Sequence, residues 1–235
     1  MDTKGLGWKI IRELLILYFD NPIEAIVSST YPDLQLHYSD EQFPQCRAIL
    51  ASTIDIVDQI NEYVLSIIPS EEEEYLSSNL VDMFDVNDIE VGTLIMLLRN
   101  LDQSERLFNG KRMVVTEMTN HVLEAKIMSG KNVGHIIYIP WMSMSPSQTP
   151  WPFKLIRRQF PIIISYAMTI NKSQGQSLES VGLYLPKPVF SHSQLYVAIL
   201  RVKNKKGLKI LIHDKDGNTL KSTTNMIYKD VFQNL

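Results

Sequence analysis

Between Thr169 and Ser177 the sequence TINKSQGQS turns abruptly from apolar to small and polar. Such a change marks a strand that ends in a loop facing a ligand. Lys172 brings a point charge, Asn171, Ser173, Gln174 and Gln176 bring hydrogen-bonding groups, and Gly175 lets backbone N–H groups come close to an anion. A phosphate-bearing partner suits these groups, and so does an ordinary solvated turn, because one glycine and one lysine make a weak phosphate signature. Further on, Arg201 follows a run with helical apolar spacing, Ser193 to Ile199. A guanidinium is always charged and forks onto phosphate oxygens, so an arginine facing a cleft stabilises charge developing on a transferred phosphoryl group. Taken alone, Arg201 reads as a surface arginine, by a wide margin the commoner case.

The elements around these residues alternate strand and helix. Ala48 to Ala51 reads as a buried strand of a parallel sheet, apolar on both faces. A helix follows, with Ser52 or Thr53 as cap, Asp55 in its first turn, and an apolar stripe through Ile56, Ile60, Val64 and Ile67 up to Pro69. Phe160 to Ala167, with Ile162, Ile163 and Ile164, reads as a return to the core sheet, Val181 to Leu185 as another buried strand and Lys209 to Ile212 as the last. Before Arg47, short helices are expected at Ile10 to Phe19 and near Ile23 to Val27.

The stretch from Val91 to Ile139 has a different texture, with apolar runs at Leu94 to Leu98, Met113 to Glu117, Val122 to Ile127 and His135 to Ile139. Asn109-Gly110 is the strongest hairpin signal, and Thr119-Asn120 and Ser129-Gly130-Lys131 are further turns, so a small antiparallel meander able to close as a barrel is expected. Trp141 to Pro152 reads as a loop. Its two tryptophans, Trp141 and Trp151, suit either packing or base stacking, with packing preferred.

Composition narrows the function classes. The chain has 235 residues, 45% of them apolar, and a formal charge of −3. That charge excludes a generally basic nucleic-acid coat and leaves local patches, at Lys154, Arg157 and Arg158 and at Lys203, Lys205, Lys206 and Lys209. The single cysteine, Cys46, allows no intrachain disulfide, fits a reducing compartment and reads as a small buried side chain. No run reaches the ~18 apolar residues of a membrane span, so a soluble, intracellular protein without a membrane partner is expected. Glu71 to Glu74 read as a solvated loop and not as a metal site. No Gly-x4-Gly-Lys-Ser/Thr loop occurs, since Gly110-Lys111 is followed by Arg112 and Gly130-Lys131 by Asn132.

Taken together, TINKSQGQSL (Thr169 to Leu178), YLPKPVFSHSQLYVA (Tyr184 to Ala198) and Arg201-Val202 resemble motifs V and VI of the Pif-type DNA helicases, the superfamily-one B branch with RecA-like motor domains, and the Helitron-transposon helicases in particular. Weaker similarity runs through RAILAST, INEYVLSIIP, YLSS, VGTLIMLLRNLD and NGKRMVV, in one unbroken order from about residue 20 to about residue 215.

This resemblance implies an α/β fold, a RecA-like parallel-sheet second motor domain interrupted by a small Src-homology-three-like β barrel. The expected layout is 1–45 as remnant of a first motor domain or linker, 46–90 and 159–213 as the RecA-like domain, 91–158 as inserted barrel and connecting loop, and 214–235 as a tail. It implies an ATP-dependent, 5′-to-3′ motor on single-stranded DNA, with ATP and Mg2+ held mainly by a first domain that carries the P-loop and an acidic pair. It further implies Arg201 as the arginine finger, Gln174, Gly175 and Gln194 on the ATP side, and Thr53, Thr169, Asn171, Lys172 and Ser173 toward the DNA backbone. Work in repair, recombination, telomere maintenance or transposon replication is expected, in the nucleus or alternatively the mitochondrion. A chain without its own P-loop is expected to be incomplete as a motor; the alternatives are a non-catalytic single-strand-binding fragment or an inactive transposon remnant. Ser193, Leu200 and Ile54 stand where the family pattern has Gly, Ser and Asn. Leu200, beside the finger, is the departure that bears most on activity.

Overall fold

The computed structural model describes residues 21–38, 40, 42–69, 89–102, 104–145, 156–186 and 194–213. The helix expected at Ile10 to Phe19, Glu71 to Glu74, Trp151, Lys154, Ser193 and the tail from residue 214 lie outside them. The helices are α1 (Pro22–Thr30), α2 (Leu34–His37), α3 (Ile54–Ile67) and α4 (Gln194–Ile199). The strands are β1 (Arg47–Ala51), β2 (Leu94–Leu97), β3 (Arg112–Met118), β4 (Val122–Ile127), β5 (Ile136–Pro140), β6 (Met142–Met144), β7 (Arg157–Gln159), β8 (Ile162–Ile164), β9 (Ala167–Thr169), β10 (Ser180–Leu185) and β11 (Leu208–Ile212). They fall into two compact units, one of Met1–Pro32, Arg47–Ile60 and Met168–Leu235, the other of Asp33–Cys46 and Asn61–Ala167.

The first unit is built on a sheet in the order β11-β10-β1-β9. β1 pairs with β10 and β10 with β11, both in parallel. Ala48, Ile49, Leu50 and Ala51 are fully buried, as a strand apolar on both faces requires. α1 lies over β10 at Gly182, where any Cβ would collide with Thr30 Oγ1 and crowd Ile26, so the close approach of helix to strand depends on that glycine. Asn21 caps the N-terminus of α1 by accepting from Ile23 N (2.9 Å), with Pro22 at the first helical position. At its other end Lys209 of β11 donates to the Ser29 carbonyl, and the Tyr31 hydroxyl donates to the Arg47 carbonyl (3.2 Å). A cation suits a helix C-terminus, and burial, with Arg47 nearby, holds the Lys209 ammonium below its usual range. One of the four lysines read as a basic patch therefore serves the fold.

The second unit contains an antiparallel sheet in the order β5-β4-β3-β2-β8. The four runs expected between Val91 and Ile139 are its strands β2 to β5. Asn109-Gly110 turns the chain into β3, with Gly110 at φ +89°, but the connection from β2 is longer than a two-residue hairpin and carries a bridge between Asp102 and Leu107. Among the described residues the strand pairings form an open series from β5 to β8, without a pairing that closes it into a barrel.

Three expectations need correction. Ile162 to Ile164 do not join the parallel sheet: as β8 they pair antiparallel with β2, Ile164 opposite Ile95 and Ile162 opposite Leu97. A triplet of isoleucines suits any buried strand, and β2, buried along its whole length, needs a partner on that side. Trp141 to Pro152 is not wholly a loop, because Met142–Met144 form β6 and pair antiparallel with β7. Cys46 is half-buried, where a buried side chain was expected.

The chain leaves the antiparallel sheet at Ile164 and enters β9 at Ala167, and this passage is held by side chains. Asn61 on α3, fully buried, donates to the carbonyls of Ile164 (3.2 Å) and Ala167 (3.3 Å) and accepts from Ala167 N (2.7 Å). Arg112, 2% exposed on β3, donates through Nη2 to the Ser165 carbonyl (3.2 Å). Such bonds satisfy backbone groups that neither sheet can reach. The strand that delivers the polar loop thus starts from a fixed point.

Candidate functional site

Every candidate residue lies in the first unit. β9 ends at Thr169, whose extended backbone (φ −67°, ψ 149°) starts a one-turn 3-10 helix, Ile170–Ser173. Thr169 Oγ1 accepts from Lys172 N at 3.4 Å, a long bond, and Ser173 Oγ donates to the Ile170 carbonyl at 2.6 Å. Ile170 and Ser173 point inward and are fully buried, while Asn171 and Lys172 are exposed. A turn of three residues per rotation puts Ile170 and Ser173 on one side and leaves Asn171 and Lys172 off it in this way. Gln174 and Gly175 close the turn, with Gly175 at φ +78°, a conformation that favours glycine.

The turn packs against β1 and α4. β1 leads to Thr53, half-buried, whose carbonyl accepts the first bond of α3 from Val57 N (3.3 Å). α4 begins at Gln194, 3% exposed, whose Oε1 is buried without a hydrogen-bond partner. Arg201 follows α4 and bonds back to two carbonyls, Nε to Val197 (3.1 Å) and Nη1 to Gln176 (3.2 Å). The backbone reinforces this contact, since Leu178 N donates to the Arg201 carbonyl and Lys203 N to the Leu178 carbonyl, both at 2.8 Å. Among the described residues, Arg201 Nη2 has no protein partner. Leu200 is 52% exposed and leaves both guanidinium bonds in place.

The structure thus brings Thr53, the Thr169–Ser177 loop, Gln194 and Arg201 to neighbouring elements of one unit. It gives Ser173 an inward role, its hydroxyl closing the turn. Sequence reasoning missed the Gln176 carbonyl as the seat of Arg201, because the two residues are 25 apart in the chain and meet only once β10 and α4 have folded back. Asn61 and Arg112 carried no local signal either, a polar residue on an apolar helix face and an arginine in a strand being the only hints.

Comparison with known proteins gives these positions a context. Residues 88–118 match the family model described as "DNA helicase Pif1, 2B domain". An ATP-dependent DNA helicase PIF1 of Xenopus laevis is 30% identical over 177 residues, which is 68% of this chain and 26% of that protein. The chain is homologous to the Pif1-type helicases over a part of their length. The human ATP-dependent DNA helicase PIF1 is 31% identical over 132 residues, 54% of this chain and 19% of that protein. The chain therefore spans about a quarter or less of the curated relatives it matches. Among solved structures, Bacteroides Pif1 bound to single-stranded DNA aligns with a TM-score of 0.56 at 21% identity, covering 79% of this chain and 44% of that one. The Pif1 helicase of Candida albicans aligns with a TM-score of 0.57 at 19% identity, covering 90% and 56%. These likenesses establish a shared fold: a mixed α/β chain with a parallel sheet. Among the described residues, no helix is long and apolar enough to cross a membrane.

α3 also carries an electrostatic liability. One carboxylate oxygen of Asp58 is buried without a partner, and burial, together with Asp55 three residues before it, raises the Asp58 pKa above its ordinary value. Above the raised folded-state value both folded and unfolded chains are ionised, and the folded state carries the whole penalty. As pH falls through that value towards 3.8 the folded chain takes the proton first, and stability rises. Asp58→Asn is therefore expected to raise the melting temperature at pH 7, with the difference shrinking as pH falls to about 4. Thermal melts of both chains across that range check it; a gain that grows towards acid would contradict it.

Proposed function

We propose that the chain supplies the C-terminal motor half of an ATP-dependent, 5′-to-3′ DNA helicase. In this reading 46–90 and 159–213, apart from β8, which pairs with β2, form a RecA-like second domain, 91–158 an inserted Src-homology-three-like barrel with its connecting loop, 1–45 a remnant of the first domain or linker, and 214–235 a tail. The observation that carries it is the bond from Arg201 to the polar loop after β9, in a chain homologous to named ATP-dependent DNA helicases. Asn171 and Lys172, exposed on the turn, contact the backbone of single-stranded DNA, aided by Thr53 and Thr169, with Ser173 fixing the turn from inside. Short amides and hydroxyls with one cation grip phosphates without reading bases, as translocation demands.

Arg201 acts as the arginine finger, its open Nη2 suiting the outer phosphate of ATP, with Gln174 and Gly175 beside it. Gln194, whose Oε1 lacks a donor, suits a hydroxyl or N–H group on the ATP side and not a phosphate oxygen. ATP supplies the phosphoryl group whose transfer drives the motor. Among the described residues no cluster of three carboxylate, imidazole or thiol groups could hold Mg2+, and the 235 residues contain no Gly-x4-Gly-Lys-Ser/Thr loop. In this reading ATP and Mg2+ are held mainly by a first motor domain that carries the P-loop and the acidic pair. Repair, recombination, telomere or transposon work, in nucleus or mitochondrion, follows from kinship alone.

The test joins the chain to the first motor domain of the Xenopus laevis relative. The fusion is expected to release phosphate from ATP on adding single-stranded DNA, and the 235 residues alone no faster than buffer. DNA-stimulated hydrolysis by the chain alone, or its absence in a fusion that binds both ligands, would contradict the reading.

A further inference from the structure

Arg201 does more in this structure than present a cation. Its Nε and Nη1 are bonded to the carbonyls of Val197 and Gln176, and its own carbonyl accepts from Leu178 N. Val197 belongs to α4; Gln176 and Leu178 belong to the segment that carries Asn171 and Lys172. The guanidinium is therefore a pin between helix and loop, and it fixes the backbone just past Gly175, the residue whose φ of +78° is the loop's freest joint. A guanidinium is planar and its forked donors are rigidly related, so a shift of the Gln176 carbonyl turns the plane and moves Nη2.

We propose that Arg201 is a positioning residue for the loop at Asn171 to Ser177, so that binding of a phosphodiester chain to the loop and orientation of Nη2 are coupled through the Gln176 carbonyl. The proposal rests on the loop holding single-stranded DNA. It adds that Arg201 supports this binding without touching DNA. Coupling of this kind is reciprocal: whatever draws the guanidinium away from Gln176 weakens the loop's grip, and a loop held by DNA fixes the guanidinium.

The experiment uses the 235-residue chain with fluorescently labelled oligothymidylate and a double-mutant cycle. Arg201→Ala is expected to weaken binding about fivefold to tenfold, and to weaken it no further in a chain already carrying Asn171→Ala and Lys172→Ala, since contacts in one network are not additive. Hydrogen exchange without DNA supplies a second readout. The amides of Gln176 and Leu178 are expected to exchange about tenfold faster in Arg201→Ala, with β10 amides unchanged. Arg201→Lys, which keeps the charge but not the fork, is expected to behave as Arg201→Ala does, and it serves the same comparison should Arg201→Ala fold poorly.

Additive effects in the cycle would mean that the guanidinium contacts DNA itself, and would overturn the proposal; so would unchanged exchange at Gln176 and Leu178. If the unsubstituted chain bound no oligothymidylate, the reading of the loop would fail, while exchange would still decide whether Arg201 pins it.

Discussion

Arg201→Ala, in a fusion that restores a P-loop domain, is expected to lose about a thousandfold or more of DNA-stimulated ATP turnover at saturating DNA, the lower end of what an arginine finger contributes. Charge builds on the phosphoryl oxygens only as the transition state forms, so a preset cation acts on turnover far more than on ground-state binding. The bonds to Val197 and Gln176 hold the guanidinium in place without a ligand, and on the proposed reading this is the preorganisation such catalysis needs. Saturating DNA matters here, because the same substitution loosens the loop and would otherwise mix a binding defect into the rate. Arg201→Lys is expected to recover little, since an ammonium cannot keep two carbonyls and a phosphate in one plane. Turnover within about tenfold of the unsubstituted fusion would remove Arg201 from the transition state, a loss that small being typical of a remote contact.

Asn61→Asp is expected to be strongly destabilising, by roughly 3 to 5 kcal/mol, because it removes one partner from a buried network and leaves a charge in its place. The fully buried amide donates to two carbonyls and accepts from one N–H. A carboxylate keeps only the last of these and faces both carbonyl oxygens. Asn61→Ala loses all three bonds without adding charge, so it should cost less, about 2 to 3 kcal/mol. Denaturant melts of the three chains at pH 7 rank them; an aspartate variant as stable as the alanine variant would contradict the hydrogen-bond assignment. Because Asn61 fixes Ala167 and β9 runs directly into Thr169, both variants should also weaken single-strand binding.

How much of this could be read beforehand follows from where the information resides. β1 and β10 are largely apolar on both faces, β11 is an apolar run broken by Lys209, and α3 combines a stripe at helical spacing with an early acid and a terminal proline, so all four emerged close to their observed limits. The isoleucines of β8 identify a strand but not its sheet, since partner choice depends on what β2 leaves uncovered. Three-residue strands such as β6 and β7 have no period to detect. For the candidate site, the residue types in the loop were visible and its internal geometry was not. Ser173 turned inward to close a 3-10 turn, and the seat of Arg201 proved to be a backbone carbonyl, which no side-chain pattern encodes. Lys209 appeared within a run of lysines, yet its partner is the end of α1.

The claim on which the rest depends is that the turn after β9 grips a phosphate backbone. The measurement that tests it most directly is fluorescence anisotropy of the 235-residue chain with labelled single-stranded oligonucleotides of different sequence, taken across a salt series with and without Lys172→Ala. The account predicts weak binding that falls steeply with salt and hardly varies with sequence. The variant should bind less tightly by the same factor on every oligonucleotide, with a logarithmic salt slope smaller by about 0.7, the value for one lost contact on a single strand. Binding that ignores salt, prefers one sequence strongly, or keeps its slope when Lys172 is replaced would contradict it.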